Sequence, residues 1–304
     1  MRITTPREAA ALLRDGQVCA LPTETVYGLA ALASDGEAVA RVYATKGRPQ
    51  FNPLIVHCAS LDEASAVVAL DQCARRLAEM FWPGPLTIVL EKQEAASVAD
   101  LAGAGLPTLA VRVPAHPLMR EVIAEVGAPL VAPSANRSGR LSPTTAAHVI
   151  DEFGDAVPVL DGGPCSAGIE STIVSLAKSR PTLLRPGAIP AHKIEAVLGH
   201  PLAEPGGGIE APGMMTSHYA PSAMLRLNAP SAEPGEVLLG FGGTPGATLD
   251  LSVDGSLEEA AANLFGHLRT LDAYGKPIAV APIPETGLGA AINDRLRRAA
   301  APRP

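Results

Sequence analysis

Short apolar runs alternate with helically spaced stretches through the first two-thirds of the chain. Runs over 17–21, 54–57, 86–91, 108–113, 130–132, 157–160 and 172–176 read as strands. Between several of them, residues 6–15, 36–45, 61–69, 71–80, 116–126 and 143–150 show the spacing of helices. Some of these carry start signals, such as Ser60 before Leu61 and the pair Ser142-Pro143. The alternation predicts an α/β domain with a mixed sheet. Pro and Gly at the strand ends, as in Trp82-Pro83-Gly84-Pro85 and Asp161-Gly162-Gly163-Pro164, give the special geometry to loops.

The pattern breaks between about Pro201 and Pro221, where Pro and Gly accumulate and no periodicity survives, which reads as a linker. Beyond it, 236–241 and 277–282 look like strands flanking a helix marked by Leu257, Ala261, Leu264, Leu268 and Leu271. That stripe fits a core face better than a coiled coil, because only about three turns are present. Ser256 and Glu259 have the spacing of a capping box. A last helix spans about 290–300, with Arg295, Arg297 and Arg298 at its basic end to match the macrodipole. The expected organisation is a first domain over 1–205, a linker over 206–222 and a small Rossmann-like α/β domain over 223–304.

Composition narrows the function. The chain has 304 residues, enough for two domains with proper cores, and a formal charge of −7. An acidic chain with 3% aromatic residues lacks the basic face and stacking platforms of a dedicated nucleic-acid binder, although a local basic pocket remains open. Cys19, Cys58, Cys73 and Cys165 are widely spaced, with no zinc-ligand rhythm, and read as reduced thiols. No apolar run approaches the ~20 residues of a membrane span, and the charged amphipathic start lacks the apolar core of a signal peptide. A soluble, cytoplasmic protein is expected.

The clearest chemistry sits in Tyr43-Ala44-Thr45-Lys46-Gly47-Arg48-Pro49-Gln50-Phe51-Asn52-Pro53. Lys46 offers a point charge and Arg48 a planar fork, on a loop that Gly47, Pro49 and Pro53 make irregular, so the pair suits a polyphosphate. Neither cation is expected in the core. No P-loop and no Gly-x-Gly-x-x-Gly turn is present, so a nucleotide must be held another way. Thr108, Ser134, Asn136 and Ser142 are available as neutral hydrogen-bonding groups. Ser142 reads equally well as a helix N-cap before Pro143.

Pro22-Thr23-Glu24-Thr25-Val26-Tyr27-Gly28-Leu29, Lys46-Gly47-Arg48-Pro49, Asn52-Pro53-Leu54-Ile55-Val56-His57, Trp82-Pro83-Gly84-Pro85-Leu86-Thr87, Val111-Arg112-Val113-Pro114, Pro133-Ser134-Ala135-Asn136 and Arg185-Pro186-Gly187 follow one another in the order and spacing of the Sua5/YrdC/YciO signatures. The chain resembles that family. His218-Tyr219-Ala220-Pro221 and the small domain after it further resemble the two-domain Sua5 branch. The resemblance implies a YrdC-like twisted mixed sheet with helices, followed by the Sua5-type C-terminal domain. It also implies a nucleotidyltransferase that makes threonylcarbamoyl-adenylate and pyrophosphate from L-threonine, bicarbonate and ATP. The product would pass to a downstream transferase that modifies transfer RNA, with no stable nucleic-acid complex on this chain.

By the same resemblance, Lys46 and Arg48 serve catalysis, and Lys46, Arg48, Asn52, Thr108, Ser134, Asn136, Ser142, Arg185 and Tyr219 hold ATP. Thr25, His57, Arg112, Ala132 through its backbone, and Ser171 hold threonine. His57 can also be read as a strand-end histidine satisfied by the backbone. Mg²⁺ is expected to arrive on the triphosphate with its own waters, with no protein cage. Family linkers often place Lys, Tyr and Arg where this chain has Met215, Thr216 and Ser217, which weakens any phosphate contact there. The linker reads either as a lid hinged at Gly206-Gly207-Gly208 or as a plain tether. The competing functional reading is an RNA-binding YrdC-like protein without synthase activity.

Overall fold

The computed structural model describes residues 3–207, 211–214 and 218–302. Strands β1 (Cys19–Leu21), β2 (Gly28–Leu32), β3 (Ile55–His57) and β4 (Leu86–Glu91) join β5 (Thr108–Arg112), β6 (Leu130–Val131), β7 (Thr172–Ser175) and β8 (Thr182–Arg185). They form one mixed sheet in the order β1-β2-β6-β3-β5-β4-β7-β8. Helices α1 (Pro6–Arg14), α2 (Gly36–Lys46), α3 (Leu61–Val67), α4 (Gln72–Phe81), α5 (Pro117–Val126), α6 (Ala146–Phe153) and α7 (Ala191–Leu198) belong to the same part of the chain.

The two faces of this sheet are covered differently, and strand alternation decides which residues go where. Val56, Ile88, Val111 and Val174 face the main core with Val39 and Val42 of α2 and Leu77 of α4. Their immediate neighbours Ile55, Val89, Ala110 and Ile173 face the other way, where Ala211 and Met214 of the linker pack on them. The linker therefore covers this face at β3, β5, β4 and β7, while α1 and α5 cover it at β1, β2 and β6.

Several expectations change. β2 and β8 lie outside the predicted strands, and Gly28–Leu32 carries none of the β-branched residues that mark a strand. Residues 157–160 form no strand; Val159 makes only isolated bridges to Ile3 and Ala20. α6 is capped by Thr145, which leaves Ser142 free of the N-cap role. The complete capping box occurs at α1, where Thr5 and Glu8 satisfy each other's backbone N–H groups.

Beyond the linker, β9 (Leu225–Arg226), β10 (Val237–Gly240), β11 (Leu249–Asp250) and β12 (Ile278–Val280) form a parallel sheet in the order β11-β10-β12-β9. Helices α8 (Leu257–Asp272) and α9 (Leu288–Ala300) pack on it. Only half of the expected box exists at α8: Ser256 accepts from the Glu259 N–H, but the Glu259 carboxylate accepts from Ser252. The Leu stripe of α8 is core, as Leu264, Leu268 and Leu271 are buried.

That core continues across the domain seam, because Val26, Leu141, Ile169 and Tyr219 join Leu264, Phe265 and Leu268 in one apolar cluster. Gly168 marks the tightest point: a Cβ there would sit 2.3 Å from the Ala262 Cα, and its φ of +67° belongs to the left-handed region. Arg295 departs from its expected place at the basic helix end, since its side chain is buried in the seam.

Candidate functional site

The strand ends and loops beside the linker enclose a cavity of about 40 Å³. His57 and Arg112 are register partners on parallel β3 and β5, so both side chains leave the same face of the sheet. Thr25, from the loop between β1 and β2, lies beside them: Arg112 Nη1 donates to Thr25 Oγ1 at 3.0 Å. Arg112 Nε donates to the Gly84 carbonyl at 3.1 Å, and Nη2 lies 2.7 Å from Glu24 Oε1. Burial raises the Glu24 carboxyl, and the charge and hydrogen bonds of Arg112 more than reverse this, leaving it below its ordinary value.

His57 is buried with Nδ1 3.1 Å from the Ile55 carbonyl. Burial and the Arg112 charge depress it to about 3. The ring is neutral at ordinary pH, so Nδ1 carries the proton donated to Ile55 and Nε2 is left as an acceptor. The backbone satisfaction expected of a strand-end histidine is thus present, and the ring still lines the cavity.

Arg48 and Arg185 bring two more buried cations to the same cavity. Arg48 Nε and Nη2 donate to the carbonyls of Asn52 and Pro53, and burial lowers Arg48 to about 10. Arg185 reaches both the carbonyl and the hydroxyl of Ser171 from Nη2, while Ser171 Oγ shares a hydrogen with Thr87 Oγ1 at 2.7 Å. Ala132, Ser134 and Tyr219 complete the predicted residues that line the space.

Lys46, Asn52, Thr108, Asn136 and Ser142 are not among the lining residues. Lys46 is a core residue, contrary to expectation: Nζ donates to the carbonyls of Ser134 and Asn136, joining the end of α2 to the Ser134–Asn136 loop. Burial and the nearby Arg48 charge hold its ammonium well below its ordinary value. Arg48 is buried as well, so neither cation stands on an open loop. Asn136 Nδ2 ties its own loop through the carbonyls of Arg137 and Arg140. Thr108 shares a face of β5 with Arg112 but lies four residues away, roughly 13 Å along the strand.

The sequence reading missed the two carboxylates of the site. Glu24 sits inside a quoted motif beside Thr25, and Glu170 directly precedes Ser171. Ser142 Oγ donates to Glu170 Oε1 at 2.6 Å, and Arg295 Nε donates to Oε2 at 2.8 Å. Among the described residues no group of three metal-ligating side chains occurs. With Glu24 and Glu170 each paired to an arginine, the residues present do not form a magnesium cage.

The linker forms part of the wall. Pro212, Gly213, His218 and Tyr219 line the cavity, and Tyr219 is buried with its ring 5.0 Å from the Arg295 guanidinium. Gly213 is pressed against Tyr219 and Arg185, so a Cβ there would lie 2.8 Å from the phenol oxygen. Gly208 of the expected hinge and the substituted positions Met215, Thr216 and Ser217 lie outside the described residues. On the far side of His218 an outer cavity of about 680 Å³ is bordered by Gly47, Pro49, Ser138, Gly139, Arg269 and Asp272, among others.

Residues 11–187 match the family model Sua5_yciO_yrdC, described as telomere recombination. Residues 189–301 match the C-terminal domain model of threonylcarbamoyl-AMP synthase. The threonylcarbamoyl-AMP synthase of Pyrococcus abyssi is 41% identical, over 96% of this chain and 93% of that protein. That of Bacillus subtilis is 40% identical, over 97% and 93%. The crystal structure of P. abyssi Sua5 complexed with L-threonine superposes with a TM-score of 0.90 at 38% identity, covering 97% of this chain and 94% of that one.

Proposed function

The chain belongs to the Sua5/YrdC/YciO family and has threonylcarbamoyl-AMP synthase activity, and from that premise we propose how its residues perform the reaction. The observation that carries the proposal is the convergence of buried Arg48, Arg112 and Arg185 on one cavity whose lining carboxylate, Glu170, is already paired with Arg295. Such a site has net positive charge in a water-poor space and is suited to anions.

Threonine occupies the Thr25, His57, Arg112, Ala132 and Ser171 end. Its carboxylate takes the Arg112 fork in place of the Thr25 hydroxyl, and neutral His57 accepts a hydrogen bond at Nε2. ATP lies toward Arg48, Ser134 and Arg185. Lys46 and Asn136 fix the Ser134 loop, Asn52 fixes Arg48 through its carbonyl, and Ser142 acts through Glu170. Direct contact of Thr108 with the nucleotide requires the segment over Ala110 to move aside.

The amine of threonine adds to bicarbonate and water leaves, giving a carbamate. A carbamate oxygen then attacks the α-phosphorus and pyrophosphate departs, which makes the enzyme a nucleotidyltransferase. The protein supplies position and positive charge, with no covalent protein intermediate. Mg²⁺ enters as part of the ATP substrate. The product, a hydrolysable adenylate, goes to a downstream enzyme that transfers its acyl group to transfer RNA.

A space of about 40 Å³ holds only a few waters, whereas ligand pockets run to several hundred Å³. The linker therefore has to shift for ATP to enter, and the outer cavity beyond His218 is the approach for the triphosphate. Closing again with Tyr219 in place keeps water from the adenylate.

Incubation with ATP, L-threonine and labelled bicarbonate tests the reading. Label should appear in one compound containing both threonine and AMP. Salt-sensitive RNA binding with no such compound would favour the RNA-binding reading instead.

A further inference from the structure

Arg295 stands in α9, the last helix of the second domain, yet its guanidinium is buried against the wall of the first-domain cavity. Nε donates to Glu170 Oε2 at 2.8 Å and Nη2 to the Pro186 carbonyl at 3.0 Å. Nη1 donates to Asp294 at 2.6 Å, and the guanidinium carbon lies over the Tyr219 ring, 5.0 Å from its centroid. Glu170 and Tyr219 both line the cavity. One arginine from the small domain thus touches a carboxylate, a backbone turn and a linker ring of the site.

A buried carboxylate without a partner is costly, and next to an anionic substrate it also repels. Glu170 is fully enclosed, with Ser142 on one oxygen and Arg295 on the other, and Arg185 close enough to share its field. Gly187 fixes the turn that presents Pro186, because a Cβ there would come within 2.5 Å of the Glu170 carbonyl. The contacts of Arg295 are therefore held on both sides of the seam. Glue between the domains would need only the apolar cluster; a planar cation aimed at Glu170 and Tyr219 does more.

We infer that Arg295 is a positioning residue for the synthase reaction: by pairing Glu170 and lying over the Tyr219 ring it makes docking of the second domain a condition for a substrate-competent cavity. The inference rests on the synthase reading above. Arg295 touches no substrate. It cancels the Glu170 charge beside the triphosphate and holds the linker ring over the bound adenylate.

The test uses the full-length chain with Arg295→Met, Glu170→Gln, both together, or Arg295→Lys. Turnover is followed as pyrophosphate release dependent on ATP, threonine and bicarbonate, and ATP affinity by calorimetry. Arg295→Met should lower kcat/KM for ATP about tenfold or more, because Glu170 is left charged beside the phosphates. Adding Glu170→Gln removes that charge and should return about threefold of the loss, which a residue that only holds domains together would not do. Arg295→Lys keeps the charge and guards against a folding failure of the Met variant. Lacking the planar fork for Pro186 and Tyr219, it should lower kcat about threefold while KM for ATP stays within about twofold. Wild-type kinetics in Arg295→Met, or a double variant no better than Arg295→Met beside a fully active Arg295→Lys, would overturn the inference. If the wild-type chain makes no adenylate, the synthase reading fails, and ATP affinity alone decides Arg295 by the same loss and recovery.

Discussion

Two carboxylates serve the cavity, Glu170 in its wall and Glu24 behind Arg112, and they are neutralised from opposite directions. Glu24 meets Arg112 within the first domain, where Arg112 is also held by Gly84 and Thr25. Glu170 meets Arg295, 125 residues further along and across the domain seam. Both carboxylates are raised by burial and brought back below their ordinary value, Glu24 chiefly by Arg112 and Glu170 by Arg295 first, with Arg185 and the Ser142 hydroxyl adding to it. The difference lies in what each pair depends on: the first is complete once the sheet forms, the second only once α9 docks. One end of the site belongs to a domain and the other to an interface.

The largest effect is expected at the self-contained end. Arg112→Met leaves Glu24 buried without its cation and should cost on the order of 3–5 kcal/mol of stability, with synthesis abolished. Urea unfolding beside the turnover assay measures both. A stable, active variant would mean that Glu24 does not depend on Arg112.

A smaller effect, confined to the interface, is expected from Gly168→Ala. The new Cβ would meet the α8 backbone, and the left-handed φ adds strain, together roughly 2–4 kcal/mol. Thermal unfolding should separate into two transitions as the second domain loosens, and activity should fall with Arg295 drawn away from Glu170. A single unshifted transition with full activity would remove the link between docking and catalysis.

The smallest effect is a null that sharpens the contrast. His57 is lowered to about 3 by burial and then by Arg112, so its imidazole signal should not titrate between pH 5 and 8. Its folded value lies below the ordinary 6.5, so protonation favours the unfolded chain, and its contribution to stability fades as pH falls from about 6.5 toward 3. Because His57 answers to the Arg112 end, Arg295→Met should leave that flat profile unchanged. A sigmoid centred near 6.5 in the wild-type chain would contradict the burial account.

The sequence made the scaffold legible where pattern and length agreed. Leu86–Glu91 and Thr108–Arg112 are long, strongly apolar runs and become the central antiparallel pair. Gly28–Leu32 escaped because an Ala- and Leu-rich stretch reads as no particular element until its neighbours bury it. Among candidate site residues, Thr25, Arg48, Arg112, Ser134, Ser171 and Arg185 were named through the family motifs and line the cavity, whereas Thr108 and Ser142 do not. Glu24 and Glu170 were missed because a carboxylate in a cationic site is recognised only through its partner, which no spacing rule places 125 residues away. Arg295 misled for the same reason: at a basic helix end it looks like a dipole match, and tertiary contact gives it another role. Lys46 shows the converse, a cation whose Gly/Pro surroundings suggest exposure but whose helix carries it into the core.

The central claim is that this cavity joins threonine, bicarbonate and the AMP moiety of ATP through one adenylate. Exchange of labelled pyrophosphate into ATP tests it most directly, because exchange requires the adenylate to form and reverse on the enzyme. The account predicts exchange when threonine and bicarbonate are both present and none when either is left out. Exchange with threonine alone would mean that the amino-acid carboxylate itself is adenylated, and would contradict the account.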